Sequence, residues 1–185
     1  EHTINVVYVG AVTPFFLPLI RAFFSVFSKS APNPEAYHFY FIGTNYSKSA
    51  NHHSVKDLAK ELGIGDWVTE YPERIPYFSA LATLAHADIL FVPGSIDVDY
   101  NASKIYNNIL SGKPIFSIFH EQSLVKKIIE DCGAGVVVGV KGSETTSELE
   151  ALIQVKIDSF WQLHLQERWS TPPRAIQPFM AAQKT

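Results

Sequence analysis

The sequence predicts a doubly wound α/β domain, in which helices cover both faces of a mostly parallel six-stranded sheet. The first observation is a series of six short runs rich in β-branched and aromatic residues, as expected for strands buried on both faces. The second is that a segment with helical spacing of apolar residues separates each run from the next. Parallel neighbours need such crossovers, and the crossovers are right-handed, so this alternation predicts the fold class.

The strand-forming runs lie at residues 4–10, 38–43, 67–71, 88–93, 114–118 and 134–140. The first two end at glycines, Gly10 and Gly43, which is typical of a chain that turns directly after a strand. The fourth run, which contains Ile89, Leu90 and Phe91, is the most hydrophobic and is therefore expected at the centre of the sheet.

The helical segments lie at residues 14–28, 54–62, 76–87, 102–111, 123–131 and 145–160. Thr13 and Pro14 provide an N-cap and a first-turn signal for the first of them. Gly63 and Gly112 are placed to end the second and the fourth. The helical pattern of the last segment continues to about residue 169, before the Pro172-Pro173 pair ends it.

Length and charge limit the class of protein. A chain of 185 residues holds one domain, or a domain with a tail, and 46% hydrophobic residues against 18% charged ones exclude a disordered chain. The net charge of −3 and the pI of about 6.2 provide no basic field for binding nucleic acid. Any phosphate-binding site must therefore be local.

Other features concern compartment and context. Cys132 is the only cysteine, so no intramolecular disulfide forms, which suits a reducing, cytoplasmic compartment. The most apolar stretch, residues 15–27, contains Pro18 and Arg21 and is too short to span a bilayer, which leaves peripheral membrane association open. Because the chain begins at Glu1 and enters a strand at once, we expect an excised part or a processed form of a longer polypeptide.

A ligand site is expected at the carboxyl ends of the strands where the winding reverses, between the first and fourth strands. This rule selects the loops at residues 10–13 and 94–101, the second of which is longer than the usual two to six residues. The first loop has one glycine, Gly10, and no Gly-x-Gly-x-x-Gly pattern, so no dinucleotide cofactor is predicted. Lys113 follows Gly112 at a helix end, which is not the position of a P-loop lysine.

The second loop leads into a helix that begins near Ser103 and Lys104. Helix N-termini favour anions, and a lysine in the first turn is disfavoured unless an anion binds nearby. Asn107 lies one helical turn after Lys104, and Asn108 and Ser111 extend the same polar stripe. The pattern indicates either a phosphate ligand or a solvated helix face.

Residues 99–115, with the sequence DYNASKIYNNILSGKPI, resemble the donor-binding segment of retaining group-1 glycosyltransferases of the GT-B fold. In that family a Ser-Lys pair opens the helix and a Glu lies five residues before the Gly of a Gly-Lys-Pro turn. A second acidic residue lies eight positions earlier. Asn107 and Asp99 occupy these two positions here, and the resemblance covers roughly residues 4–140.

The resemblance implies that residues 1–157 form a Rossmann-like donor-binding domain, one half of a GT-B fold. Residues 158–185 would form a helix and tail that pack on an N-terminal acceptor domain outside this chain. The family transfers a sugar from a nucleoside-diphosphate sugar to a hydroxyl acceptor, without a metal or another cofactor. We therefore expect this chain alone to be catalytically incomplete.

The resemblance also implies roles for individual residues. Lys104 would stabilise the departing diphosphate, and Asp99 would orient hydroxyls of the donor sugar. The substrate-binding positions carried over from the family are Gly10, Arg74, Ser95, Asp97, Ser103 and Asn107. Arg74 lies in residues 72–76, which would flank the nucleobase. It would either stack on the base or be a solvated surface charge.

Two features depart from the family pattern. Members carry an Arg and a Lys after the first-strand glycine, whereas here no cation follows Gly10 until Arg21. Asn107 also replaces the Glu, which leaves one acceptor oxygen for a ribose hydroxyl and substitutes a donor for the other. These departures favour, as an alternative, a non-catalytic nucleotide-sugar-binding or interaction module with a degenerate site. A nucleotide-sugar epimerase of the same architecture is a further alternative.

Four further groups could have either a functional role or an ordinary structural one. Asp97 and Asp99 form an Asp-x-Asp pair that binds a divalent cation in the GT-A fold, although the Ser-Lys helix favours a metal-independent site. The His52-His53 pair is expected in a solvated loop. His120 lies at the ligand end of the fifth strand and either contacts the sugar or belongs to a helix start. Cys132 is expected to be a buried thiol.

Overall fold

A computed structural model describes residues 3–31, 33–45, 54–100 and 102–165 of the chain. Its sheet has six strands, all parallel to their neighbours, in the order β3-β2-β1-β4-β5-β6. The strands are β1 (Ile4–Val9), β2 (Tyr37–Ile42), β3 (Val68–Tyr71), β4 (Ile89–Val92), β5 (Ile115–His120) and β6 (Gly135–Val140). The predicted fold class is confirmed, and the order reverses between β1 and β4 as a doubly wound sheet requires.

The helices are α1 (Leu17–Ser30), α2 (Ser54–Glu61), α3 (Tyr77–His86), α4 (Ile105–Leu110), α5 (Leu124–Asp131) and α6 (Thr146–Leu165). Two predicted helix starts are three residues too early. Residues 14–16 form a turn before α1, closed by the Phe16 N–H donating to Thr13 O at 3.0 Å. Residues 103–104 form a turn before α4, and the Ile105 N–H donates to Ala102 O at 2.8 Å.

Helices α1, α2 and α6 cover one face of the sheet, which we call the aromatic side. Phe23 of α1 stacks on Phe91 of β4 with ring centroids 4.2 Å apart. Phe27 meets Phe39 of β2 edge to face at 4.8 Å. Rings from α6 complete this layer, since Phe160 lies edge to face on Phe116 of β5 at 5.5 Å.

Helices α3, α4 and α5 lie on the opposite face, which we call the cleft side. Its buried residues are mostly aliphatic: Val7, Leu90, Ile105, Ile109, Ile115, Val125, Ile129 and Val137 are examples. Helix α3 buries only Leu84 on this face, and Phe78 of the same helix is 81% exposed. The cleft side is therefore packed less fully than the aromatic side.

Helix α6 is continuous from residue 146 to residue 165, so the predicted boundary at residue 157 falls inside it. Ile157, Phe160 and Trp161 are all buried in the core of the same domain. The Trp161 ring lies 4.8 Å from that of Tyr37 at the start of β2. The rest of the predicted C-terminal helix and tail, residues 166–185, lies outside the described residues. Among the helices described, none has the length and apolar character needed to cross a membrane.

The buried carboxylate of Glu70, in β3, fixes the carboxyl edge of the sheet near the expected ligand site. It accepts hydrogen bonds from Thr44 Oγ1 at 2.6 Å and from the N–H groups of Val55 and Lys56 at 3.0 and 2.8 Å. The backbone oxygen of Thr44 in turn accepts the Val12 N–H at 2.8 Å. The chain after β2, the start of α2 and the loop after β1 are therefore held in one network.

Candidate functional site

An open cleft of about 320 Å³ lies at the carboxyl edge of the sheet, between the ends of β1 and β2 and the helices α3 and α4. We call it the main cleft. A smaller pocket of about 100 Å³, the inner pocket, lies beside it between β1 and β4. Lys104 lines both, so its side chain stands between the two spaces. The inner pocket therefore lies where the switch-point rule predicts a ligand, and the main cleft adjoins it at Lys104.

Two glycines that end adjacent strands form the floor of the main cleft. The Gly10 N–H donates to Ile42 O at 2.8 Å, and the Gly43 N–H donates to Tyr71 O at 2.7 Å. A Cβ on Gly10 would lie 2.6 Å from Lys104 Nζ, so only glycine lets the ammonium come this close to the backbone. Gly43 has φ +73°, a left-handed conformation that favours glycine, and the space where its Cβ would lie is 3.6 Å from Arg74 Cα.

Tyr8 supports the loop below Lys104. Its hydroxyl donates to Ala11 O at 2.8 Å, and it would lie 2.9 Å from a Cβ on Gly10. Burial of the ring, and next the neighbouring Tyr100, raise the pKa of Tyr8 above its usual range. The hydroxyl therefore stays neutral and donates to the first loop at any physiological pH.

The charge of Lys104 is the main electrostatic feature of the site. The residue as a whole is exposed, but its ammonium lies against the Gly10 backbone. This partial burial, and next the positive charge of Arg74, lower the pKa of Lys104 from its usual value. A bound anion would counteract this lowering of the pKa, because it would favour the charged ammonium.

The helix contributes less to the site than the sequence predicts. Lys104 is the N-cap of α4 and not a first-turn residue, and α4 has only six residues. One of the N–H groups expected to face an anion, that of Ile105, already donates to Ala102 O. The ammonium of Lys104, more than the helix N-terminus, is therefore the group available to an anion.

Asn107 lines the main cleft one turn after Lys104. Its side-chain oxygen lies 3.4 Å from the hydroxyl of Tyr77, which is at the start of α3 and is 59% exposed. This pair spans the cleft from α4 to α3. Sequence reasoning missed both Tyr77 and Tyr8. The available signal for Tyr77 was an aromatic residue directly after the expected nucleobase loop. The signal for Tyr8 was a tyrosine two residues before Gly10.

The structure brings four of the eight expected site residues together around the main cleft: Gly10, Arg74, Lys104 and Asn107. Ser103 is exposed and lines the inner pocket.

The three expected residues in the loop after β4 line neither space. Ser95 is buried and its Oγ accepts the Asp97 N–H at 3.0 Å. The Asp97 carboxylate accepts the Asp99 N–H at 3.0 Å, and both aspartates are exposed. These hydrogen bonds shape the loop through the Ser95 and Asp97 side chains and the backbone of Asp99.

The remaining groups have ordinary surroundings or fall outside the structure. His120 Nδ1 accepts the Gln122 N–H at 3.2 Å in the turn before α5. Cys132 is buried, and burial followed by the charge of Asp131 raises the pKa of its thiol. This confirms the expectation of a buried thiol. The His52-His53 pair lies outside the described residues.

Comparison with known proteins gives structural relatives and no sequence relatives. No protein-family model matches the sequence, and no curated protein matches it either. WaaG, a glycosyltransferase involved in lipopolysaccharide biosynthesis, matches with a TM-score of 0.54 and 15% identity, over 98% of this chain and 48% of that one. HepE from Anabaena, solved in complex with UDP, matches with a TM-score of 0.62 and 15% identity, over 96% and 44%.

The catalytic domain of cholesterol-α-glucosyltransferase from Helicobacter pylori matches with a TM-score of 0.59 and 14% identity, over 96% of this chain and 99% of that one. The chain thus spans less than half of WaaG and of HepE. At these identities the likeness concerns the fold. The chain has the Rossmann-like fold that forms one half of GT-B glycosyltransferases, which confirms the expected resemblance.

Proposed function

We propose that this domain binds a nucleoside-diphosphate sugar in the main cleft and acts as the donor half of a glycosyltransferase. The observation that carries the proposal is the ammonium of Lys104, held over Gly10 at the switch point of the sheet. A cation at that place suits the diphosphate of such a donor. The structural relative HepE, solved with UDP, supports the same ligand class.

The other surfaces of the cleft suit the rest of the donor. Ile75, Leu81 and the Tyr77 ring give an apolar and aromatic wall for a nucleobase. Asn107 offers an amide to the ribose hydroxyls, in place of a carboxylate. The sugar would extend toward the loop after β4, where Asp99, with Ser95 and Asp97 shaping the loop, would orient its hydroxyls.

The reaction would be substitution at the anomeric carbon of the donor. The bond from this carbon to the diphosphate oxygen breaks, a bond to the acceptor oxygen forms, and the acceptor hydroxyl gives its proton to the departing diphosphate. Lys104 would stabilise the charge that develops on the departing diphosphate, so neither a protein nucleophile nor a metal is required. The hydroxyl acceptor would bind to a second domain, and this chain alone is therefore expected to give no turnover.

Calorimetric titration of the 185-residue chain with UDP, GDP and ADP tests the proposal. At least one of them should bind, and Lys104→Ala should weaken its binding by about 1.5–3 kcal/mol, the range for a hydrogen bond to a charged group. Lys127→Ala is the matched control, because Lys127 is an exposed lysine that pairs with Asp131 on α5. Absence of binding, or equal losses in both variants, would overturn the proposal.

A second candidate is a module that binds nucleotide sugars without catalysis. It is favoured by the placement of Ser95, Asp97 and Asp99 outside both the main cleft and the inner pocket. The two candidate functions can be distinguished by testing a polypeptide that joins this domain to its acceptor domain. The transferase cleaves the donor slowly in water, whereas the module binds the donor and leaves it intact. An epimerase would instead change the configuration of the sugar, which NMR of the donor detects.

A further inference from the structure

The main cleft holds a second cation besides Lys104. Arg74, in the segment between β3 and α3, lines the same cleft as Lys104 and Asn107. After partial burial, its positive charge is the second cause that lowers the pKa of Lys104. The sequence left two other roles for Arg74, contact with a nucleobase and a solvated surface charge.

The two cations lie on the two halves of the glycine floor. Val9 and Ile42 are partners in the register of β1 and β2, so the glycines that follow them are neighbours, about 5 Å apart as adjacent strands are. Lys104 Nζ occupies the space over Gly10, and the Arg74 backbone adjoins the corresponding space over Gly43. A lysine and an arginine therefore lie beside two neighbouring glycines that have no side chains.

The loop after β1 adds no further cation to the main cleft. Residues 11–16 contain no lysine or arginine, and the next cation along the chain is Arg21. Arg21 is paired with Glu61 of α2 and does not line the main cleft. A diphosphate has two charged phosphoryl groups, and one ammonium faces only one of them well. The position of Arg74 suits the other.

We propose that Arg74 binds the second phosphoryl group of a diphosphate, opposite Lys104 and across the Gly10–Gly43 floor. The diphosphate part of a nucleotide sugar is the ligand if the proposed function holds, and in that respect the inference rests on it. The guanidinium offers two parallel N–H donors to phosphate oxygens, which an ammonium does not. Arg74 is then a phosphate-binding residue and does not read the nucleobase.

Binding of inorganic pyrophosphate, measured by calorimetry on the full chain, tests this inference without a nucleotide. Arg74→Ala should weaken pyrophosphate binding about tenfold to a hundredfold, as loss of charge-assisted hydrogen bonds does, while Arg74→Lys should recover part of it. Arg21→Ala is the matched control and should change nothing. A pyrophosphate affinity that Arg74→Ala leaves unchanged, or no pyrophosphate binding by the parent, overturns the inference.

The free nucleoside separates a phosphate role from a nucleobase role. With the nucleoside of the nucleotide that binds best, Arg74→Ala should leave affinity unchanged. A loss equal to that seen with the nucleoside diphosphate would overturn the inference in favour of nucleobase contact.

NMR titration of the lysine ammonium groups gives a readout that needs no ligand. Arg74→Ala should raise the pKa of Lys104, because a positive neighbour has been removed. An unchanged Lys104 pKa would contradict the proposed placement of Arg74 opposite Lys104. A folded Arg74→Ala chain, verified by circular dichroism, makes either result interpretable.

The failure of this inference differs from failure of the proposed function. If nucleoside diphosphates bind with dependence on Lys104 but not on Arg74, the function stands and the inference is wrong. If pyrophosphate binds with dependence on Arg74 while UDP, GDP and ADP do not bind, the inference stands and the proposed function is wrong.

Discussion

The two faces of the sheet are packed by different residues for different purposes. On the aromatic side, long helices from both ends of the described chain press rings such as Phe23, Phe27 and Phe160 against rings of the strands. On the cleft side, α3 buries only Leu84 and α4 has only six residues. The main cleft opens on this second face, beneath α3 and α4.

The difference shows how one sheet provides both a rigid scaffold and room for a ligand. The aromatic side fixes the strands, and with them the positions of Gly10 and Gly43 at the strand ends. The sparse packing on the cleft side leaves backbone at those ends uncovered. We therefore expect substitutions on the aromatic side to change stability, and substitutions around the cleft to change binding.

The largest effect is expected from Phe23→Ala, because the Phe23 ring is 2% exposed and contacts rings on α1, β2, β4 and β5. Loss of a buried phenylalanine should lower the free energy of unfolding by about 3–5 kcal/mol. Urea unfolding measures the change. Leu81→Ala, on half-buried Leu81 of α3, is the comparison on the cleft side and should cost clearly less. Equal losses would contradict the difference between the faces.

Gly10→Ala should change binding as well as folding, because the Gly10 φ of +158° also strains any residue with a side chain and lowers stability. Its Cβ would overlap Lys104 Nζ at 2.6 Å, so the ammonium must leave the floor of the cleft. We expect the affinity for a nucleoside diphosphate to fall about tenfold or more, measured by calorimetry. Gly63→Ala is the control, because Gly63 has open space around it but φ +74°. That variant should lose about 1 kcal/mol of stability and no affinity.

The pH dependence of binding should reveal the environment of Lys104. The charged ammonium binds the anion, and its pKa is lowered by burial and by Arg74. Affinity should therefore be full at neutral pH and should fall as the pH rises, at a lower pH than an ordinary lysine would give. Binding in this alkaline range should be accompanied by proton uptake, which calorimetry in two buffers of different ionisation enthalpy measures. No uptake at any pH would mean that Lys104 does not contact the ligand.

The smallest effect is expected at Asn107, whose amide lines the main cleft beside Tyr77. Asn107→Leu should weaken binding of the cognate ribonucleoside diphosphate by about 1 kcal/mol, the value of one neutral hydrogen bond. Asn107→Glu should strengthen it, because a carboxylate accepts from both ribose hydroxyls. The 2′,3′-dideoxy nucleotide is the control, since the gain from Glu should vanish with it. If Asn107→Leu binds both ligands as tightly as the parent does, Asn107 does not contact the ribose hydroxyls.

The sheet was predictable from local sequence because its signals are local. The β-branched run that ends at Gly10 and the aromatic run that ends at Gly43 place two strands, and the alternation with helices leads to parallel neighbours. The start of α4 was misplaced because residues 102–104 turn before the helix begins, and turn and helix residues look alike in this segment.

The candidate site was predictable only in part, because its contacts join distant segments. The approach of Lys104 to Gly10 depends on the packing of β1 beside β4, which sequence alone does not measure. The sequence could place Arg74 beside the ligand site, but it could not show that Arg74 lines the same cleft as Lys104. Asp97 and Asp99 have the residue types of a site, yet neither lines the main cleft or the inner pocket.

The contact between α1 and α6 has a consequence for the time at which the domain can finish folding. During synthesis, Phe27 and Tyr37 leave the ribosome long before Trp161, the ring that finally lies 5.7 and 4.8 Å from theirs. Contacts between such distant segments form late, because a long loop must close first. A nascent chain that has not yet produced α6 therefore exposes aromatic surface, and ribosome pausing in this interval should favour aggregation or chaperone binding.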